Sequence, residues 1–210
     1  MPRWGWAAGL VGVAAMVPLA ALDAQREALA VASEASTAPV RVVIAQTGAA
    51  RVVREEEAER DIVWRASTAL GTPNAGALVN SVVLPSAGAG FYTYDPAENV
   101  TPNKEWRRHG TDMLVRQVLA VGRWWAVTHP DEARLGVGDL SLPEGGLFAG
   151  PGVGHQSHQN GLDVDFRLPR TDRVEGIANP ANYDRKLTQA LTDRLIAQGA
   201  TLVLIGPNLD

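Results

Sequence analysis

The chain has 210 residues, 46% of them apolar, and a formal net charge of −4. That composition supports one folded domain with appendages and excludes a disordered chain. No basic stripe suits a nucleic-acid surface, and with no cysteine any metal site must be built from nitrogen and oxygen ligands.

Arg3 is followed by an uncharged stretch from Trp4 to Leu22 in which Ala, Gly, Val and Leu dominate. Its length falls between a signal-peptide core and a membrane span of roughly 17 to 25 residues. Small residues at Ala20, Ala21 and Ala24 suit signal cleavage. Residues 1–24 are therefore expected to be an export signal or a membrane anchor, and either places the rest of the chain outside the cytoplasm. Residues 25–40, rich in Ala, Ser and Glu without a core period, read as a tether, and 41–210 as the folded domain.

Within that domain Arg41 to Ile44, Arg51 to Arg54 and Ile62 to Trp64 are short β-prone pieces, and Glu55-Glu56-Glu57 is a solvated face. Gly71-Thr72-Pro73-Asn74-Ala75-Gly76 has turn chemistry, and the apolar run from Leu78 to Leu84 predicts a strand that stops at Pro85. The aromatic stretch Phe91 to Pro96, with Pro102 to Trp106, reads as a surface loop whose rings pin it or line a substrate groove. Thr111 or Asp112 caps a helix whose apolar side runs from Met113 through Trp125 and which ends before Pro130. Leu135 to Leu140 predicts a buried strand. A helix over 182–198 is stopped by Gly199, and Ala200 to Ile205 is a last strand. Because strands and helices do not alternate regularly, the fold class is α+β.

The densest chemistry lies in Gly154-His155-Gln156-Ser157-His158-Gln159-Asn160-Gly161-Leu162-Asp163-Val164-Asp165, reached through a glycine-rich approach from Gly145. After Gly161, apolar Leu162, Val164 and Phe166 alternate with Asp163, Asp165 and Arg167, so a strand puts both carboxylates on one face. His158 sits on the loop leading in. Imidazole and carboxylate at this spacing meet the needs of a zinc ion, which binds such ligands at roughly 2.0 to 2.2 Å.

These residues closely resemble the signature of the penicillin-insensitive murein endopeptidases, zinc peptidases grouped with D-Ala-D-Ala carboxypeptidases, in which a His and an Asp are separated by six residues. His158 and Asp165 match it. The resemblance runs from about Gly71 to Pro207 and includes Gly71-Thr72-Pro73-Asn74, Trp106-Arg107-Arg108, Gly138-Asp139-Leu140-Ser141 and Gly206-Pro207-Asn208. It implies a small antiparallel sheet with flanking helices, a catalytic Zn2+ held by His158 and Asp165, and cleavage of D-alanyl peptide cross-links in bacterial peptidoglycan. The implied location is the periplasm, the cell wall or the medium, with membrane contact through the N-terminal segment if that segment is retained. His155 is similar in position to a family active-site histidine and is expected to orient water or bind substrate. Asp163 is expected to accept a hydrogen bond from a ligand imidazole.

The family completes its metal shell with a His-x-His element near the C-terminus, and no histidine follows His158 here. The expectation is thus a domain lacking its C-terminal strand, with His109, His129 and His155 as the other imidazoles. His129 reads as a cation at a helix C-terminus and His109 as a loop or pre-cap residue. Four readings stay open: an active zinc endopeptidase, an inactive exported peptidoglycan-binding domain or fragment, a zinc D-Ala-D-Ala carboxypeptidase, and a purely structural His/Asp cluster. The oligomeric state is open too.

Overall fold

The computed structural model describes residues 10–14, 59–148 and 156–206. The expected tether and the β-prone pieces from Arg41 to Arg54 lie outside those residues, as does most of the expected export segment. Of that segment, Leu10–Ala14 forms strand β1. No helix among the described residues is long and apolar enough to cross a membrane.

A hairpin opens the described domain. Strands β2 (Thr68–Thr72) and β3 (Ala75–Val79) pair antiparallel, with Thr72 opposite Ala75, so Pro73 and Asn74 make the tight turn predicted for this stretch. The strand expected from Leu78 to Leu84 is broken. Asn80 has a φ of 55°, which turns the chain, and β4 (Val82–Val83) starts afresh to pair with β7 (His109–Gly110). The apolar content of the run reflects burial of Leu78, Val82 and Leu84 on either side of that turn rather than one continuous strand.

The main sheet has six strands in the order β10-β1-β9-β8-β6-β5. Its members not yet placed are β5 (Ala87–Gly88), β6 (Phe91–Thr93), β8 (Leu135–Val137), β9 (Asp163–Arg167) and β10 (Leu202–Ile205). All neighbours are antiparallel except β6 and β8, where Phe91 faces Leu135 in a parallel pair. The expected antiparallel sheet is corrected in that one pair. Between β6 and β8 the chain crosses over through helix α1 (Asp112–Thr128), and such a crossover returns the second strand parallel to the first. The Phe91 to Pro96 stretch is corrected as well: Phe91, Tyr92 and Tyr94 are buried, and Phe91-Tyr92-Thr93 is an inner strand, not a surface loop.

Helix α1 begins where its capping chemistry places it. The Thr111 hydroxyl accepts from the Leu114 N–H at 3.1 Å and so satisfies one of the free amides of the first turn. Leu114, Val115, Val118, Leu119, Val121 and Trp125 form its buried face, and the adjacent Trp124 lies at the margin of the core. Helix α2 (Arg185–Ala197) starts later than expected, because the Asp184 carboxylate caps it by accepting from the Leu187 N–H at 2.8 Å. The buried face of α1, together with Leu191 and Leu195 of α2, joins Val164, Phe166 and Leu168 in one apolar cluster. The apolar residues of β9 thus meet the helices, and by the period of two its Asp163, Asp165 and Arg167 point to the opposite face. That face is buried too, which makes β9 a central strand covered on both sides.

Helix α1 approaches the turn before β6 as closely as backbone permits. A Cβ on Gly122 would lie 2.5 Å from the Ala89 carbonyl oxygen and 2.9 Å from the Phe91 ring, while Gly90, at a φ of 74°, faces the Gly122 carbonyl. Helix propensity alone would make Gly122→Ala stabilising by roughly 1 kcal/mol. The clash is with backbone that cannot yield, so the substitution is expected to cost about 1–3 kcal/mol instead, read as a lower urea midpoint at unchanged slope.

Candidate functional site

The polar face of β9 is covered by two segments. The first is the extended run after β8, joined to β9 by the Gly138 N–H donating to the Asp165 carbonyl at 2.8 Å and the Asp165 N–H donating to the Asp139 carbonyl at 3.0 Å. The second is the loop that carries His158, tied back by the Ser141 hydroxyl donating to the His158 carbonyl at 2.6 Å. His158 itself has a φ of 69°, a left-handed conformation that a non-glycine residue adopts only when its surroundings impose it. Gly161, at a φ of 73°, completes the turn into β9 where a Cβ would strike the Leu78 side chain.

The imidazole of His158 is 2% exposed and its two nitrogens are distinguished by their partners. Nδ1 lies 2.8 Å from the Leu140 carbonyl oxygen, which can only accept, so Nδ1 carries a proton. Nε2 then faces the Asp165 carboxylate, 3.3 Å from Oδ1. As imidazolium it donates to that oxygen; as neutral imidazole it presents a lone pair beside it. Burial disfavours the charged ring, but the charge and hydrogen bond of Asp165, with Asp163 and Asp139 behind it, outweigh burial and lift its pKa to about 9. The Asp163 carboxylate is also buried, which pushes its pKa up, and it accepts the backbone N–H of His158 at 3.0 Å.

The expected site residues are thereby sorted. His158 and Asp165 come together as the spacing predicted. Asp163 is beside them but holds the His158 main chain; the backbone carbonyl of Leu140, in the extended run after β8, takes the role of imidazole acceptor expected of Asp163. His155 lies outside the described residues. His109 lies elsewhere, in β7, with Nδ1 2.9 Å from the Ser81 hydroxyl. His129 caps the end of α1 and stacks on Trp125 with ring centroids 4.4 Å apart.

A metal ion would have two candidate donors in this arrangement. In the neutral ring the proton on Nδ1 leaves Nε2 as the ligand atom, so a cation would have to displace the Nε2 proton, and Oδ2 of Asp165 is buried without a hydrogen-bond partner. An orphaned carboxylate oxygen in a buried site is costly unless a cation or a donor meets it. Among the described residues no group of three or more His, Asp or Glu side chains converges as a complete ligand set.

A buried ion pair flanks this pair of residues. Arg107, 1% exposed, donates Nε to Asp139 Oδ1 at 2.7 Å and Nη2 to Asp139 Oδ2, a bidentate fork, and Asn103 donates to the same Oδ1 at 3.0 Å. The guanidinium also lies over the rings of Trp106 and Phe148, at 5.1 and 5.4 Å from their centroids, and Phe148 meets the His158 ring edge-on at 6.1 Å. Both Arg107 and Asp139 stand in short motifs visible in the sequence, but only the fold reveals that they pair.

A family model described as penicillin-insensitive murein endopeptidase matches residues 69–198, which include His158, Asp165 and the Arg107–Asp139 pair. The chain belongs to that family. Curated relatives named penicillin-insensitive murein endopeptidase, from Escherichia coli O157:H7 and its strain EC4115, are 52% identical over 40 residues, covering 18% of this chain and 14% of each relative. The chain thus spans only 14% of the length of the curated relatives it matches.

Removing one member of the Arg107–Asp139 pair leaves a buried charge uncompensated. Arg107→Met and Asp139→Asn are each expected to destabilise the protein by about 3–5 kcal/mol, and the double substitution by less than their sum, in a urea-unfolding mutant cycle.

Proposed function

We propose that this protein is a zinc-dependent endopeptidase that hydrolyses D-alanyl peptide cross-links of peptidoglycan outside the cytoplasm. The observation that carries this reading is the juxtaposition of His158 Nε2 and Asp165 Oδ1 at 3.3 Å inside the segment that matches the murein endopeptidase family. A zinc ion bound there would supply Lewis acidity and a water of lowered pKa. The chain's own contribution is orientation. The Leu140 carbonyl holds the imidazole in the tautomer that frees Nε2, and β9 presents the Asp165 carboxylate beside it with one oxygen unspent. Phe148 meets the His158 ring edge-on, with Trp106 packed against Phe148. The extracytoplasmic location rests on the family's peptidoglycan substrate.

The test is digestion of purified murein by the full chain, with and without chelator, followed by muropeptide analysis and metal determination on the same preparation. Loss of cross-linked dimers, abolished by chelator and restored by zinc, is the expected result. Release of single terminal D-Ala residues would identify a carboxypeptidase instead. His158→Ala and Asp165→Asn should each lower the rate by more than the roughly 10- to 100-fold that loss of an outer hydrogen-bond partner of a metal ligand costs. Full activity of either variant, or cleavage indifferent to chelator, would sink the zinc reading.

A further inference from the structure

An open cavity of about 900 Å3 lies between the Asp61–Arg65 segment, strand β3 and the turn that carries Glu105 to His109. Neither His158 nor Asp165 lines it. It is nevertheless tied to them: Glu144, in its wall, accepts the Leu78 N–H at 2.8 Å, and the Leu140–Glu144 segment that ends there also holds the His158 imidazole and carbonyl. A volume of this size accommodates a short peptide.

Arg108 supplies the cavity's chemistry. Its side chain is 8% exposed, yet no carboxylate among the described residues lies within ion-pair distance of it. The contrast with the neighbouring Arg107, whose fork is filled by Asp139, is direct. Arg108 donates Nε to the Asn103 carbonyl at 3.1 Å and Nη1 to the Leu84 carbonyl, so two neutral acceptors occupy part of its five-donor guanidinium and none cancels its charge. Burial lowers its pKa, with Glu105 opposing from a distance. A desolvated cation in a cavity wall, with no carboxylate partner among the described residues, is an expensive feature unless an anion enters, and a planar guanidinium prefers a carboxylate or phosphate. Arg65, also in the wall, adds a second positive charge, and His109 feels both: burial first, then Arg108 and Arg65, depress its pKa, with Glu105 opposing.

The acidic side chains choose between anions. Asp61, Glu105 and Glu144 line the same cavity, which disfavours a multiply charged phosphate more than a singly charged carboxylate accompanied by amide or ammonium donors. We propose that this cavity is a peptide-carboxylate subsite, with Arg108 anchoring the free carboxylate of a peptide whose body extends toward the His158–Asp165 pair. This deepens the endopeptidase reading and rests on it for the identity of the peptide.

The experiment is titration calorimetry on the full chain in chelator, with N-acetyl-D-alanyl-D-alanine, its C-terminal amide and inorganic phosphate as probes. The acid should bind and the amide should bind roughly tenfold or more weakly, the worth of one charge-assisted pair. Arg108→Lys should weaken the acid by a similar factor while leaving the amide unchanged. Because Arg108 also supports two carbonyls, Ser81→Phe, which narrows the cavity without touching those bonds, serves as a second variant and should weaken acid binding, while Ser81→Ala, which gives up the same Ser81–His109 hydrogen bond with no added bulk, should bind the acid as the unaltered protein does. No binding of the acid, equal binding of acid and amide, phosphate as strong as the acid, or unaltered binding by Ser81→Phe would overturn the subsite. Carboxylate-selective binding without murein cleavage would refute the hydrolase reading alone; murein cleavage with acid and amide bound alike would refute the subsite alone.

Discussion

The arrangement around β9 depends on the buried fork between Arg107 and Asp139. Two charges taken out of water cost several kcal/mol each and are tolerated only when their geometry satisfies both. Here the pairing is bidentate, Asn103 adds a third donor, and the Arg107 carbonyl in turn accepts the Leu140 N–H at 2.9 Å. The turn from Lys104 to His109 is thereby locked onto the segment from Gly138 to Ser141. That segment is the template on which the candidate site is assembled, since its carbonyls take the Asp165 N–H and the His158 Nδ1–H, and its hydroxyl holds the His158 main chain.

From this constraint the electrostatics of the site follow. The imidazole responds chiefly to burial and Asp165, with Asp163 and then Asp139 raising its pKa further. The positive φ of His158 is the conformational cost of aiming one ring nitrogen at a backbone carbonyl and the other at a carboxylate on the next strand. Arg107 and Arg108 show how adjacent arginines of one turn can differ in role. One pairs with the Asp139 carboxylate, and the other, in the wall of a cavity, has the Asn103 and Leu84 carbonyls as its only partners among the described residues.

The elements read correctly from sequence are those whose signals are local. The hairpin turn at Pro73-Asn74, the cap and apolar face of α1, the alternation in β9 and the stop at Gly199 each rest on the chemistry of a few consecutive residues. The errors arose where distant contacts decide. Phe91-Tyr92-Thr93 carries no alternation because it is buried on both faces between β5 and β8, and the break at Asn80 appears only when β4 turns to meet β7. The single parallel pair depends on which strand receives the chain after the α1 crossover, a matter of topology.

For the site, sequence by itself determined the candidate donors and their register: His158 and Asp165 seven positions apart, with β9 carrying Asp163 and Asp165 on one face, and the short motifs that mark the family. Those facts are properties of one continuous segment. Tertiary structure alone decided that the Leu140 carbonyl, not Asp163, fixes the imidazole tautomer, that Asp139 answers Arg107, and that Arg108 lines a cavity without a carboxylate partner among the described residues. The physical reason is that hydrogen bonding and charge compensation are settled by which groups the fold brings within about 3 Å, and those partners stand far apart along the chain.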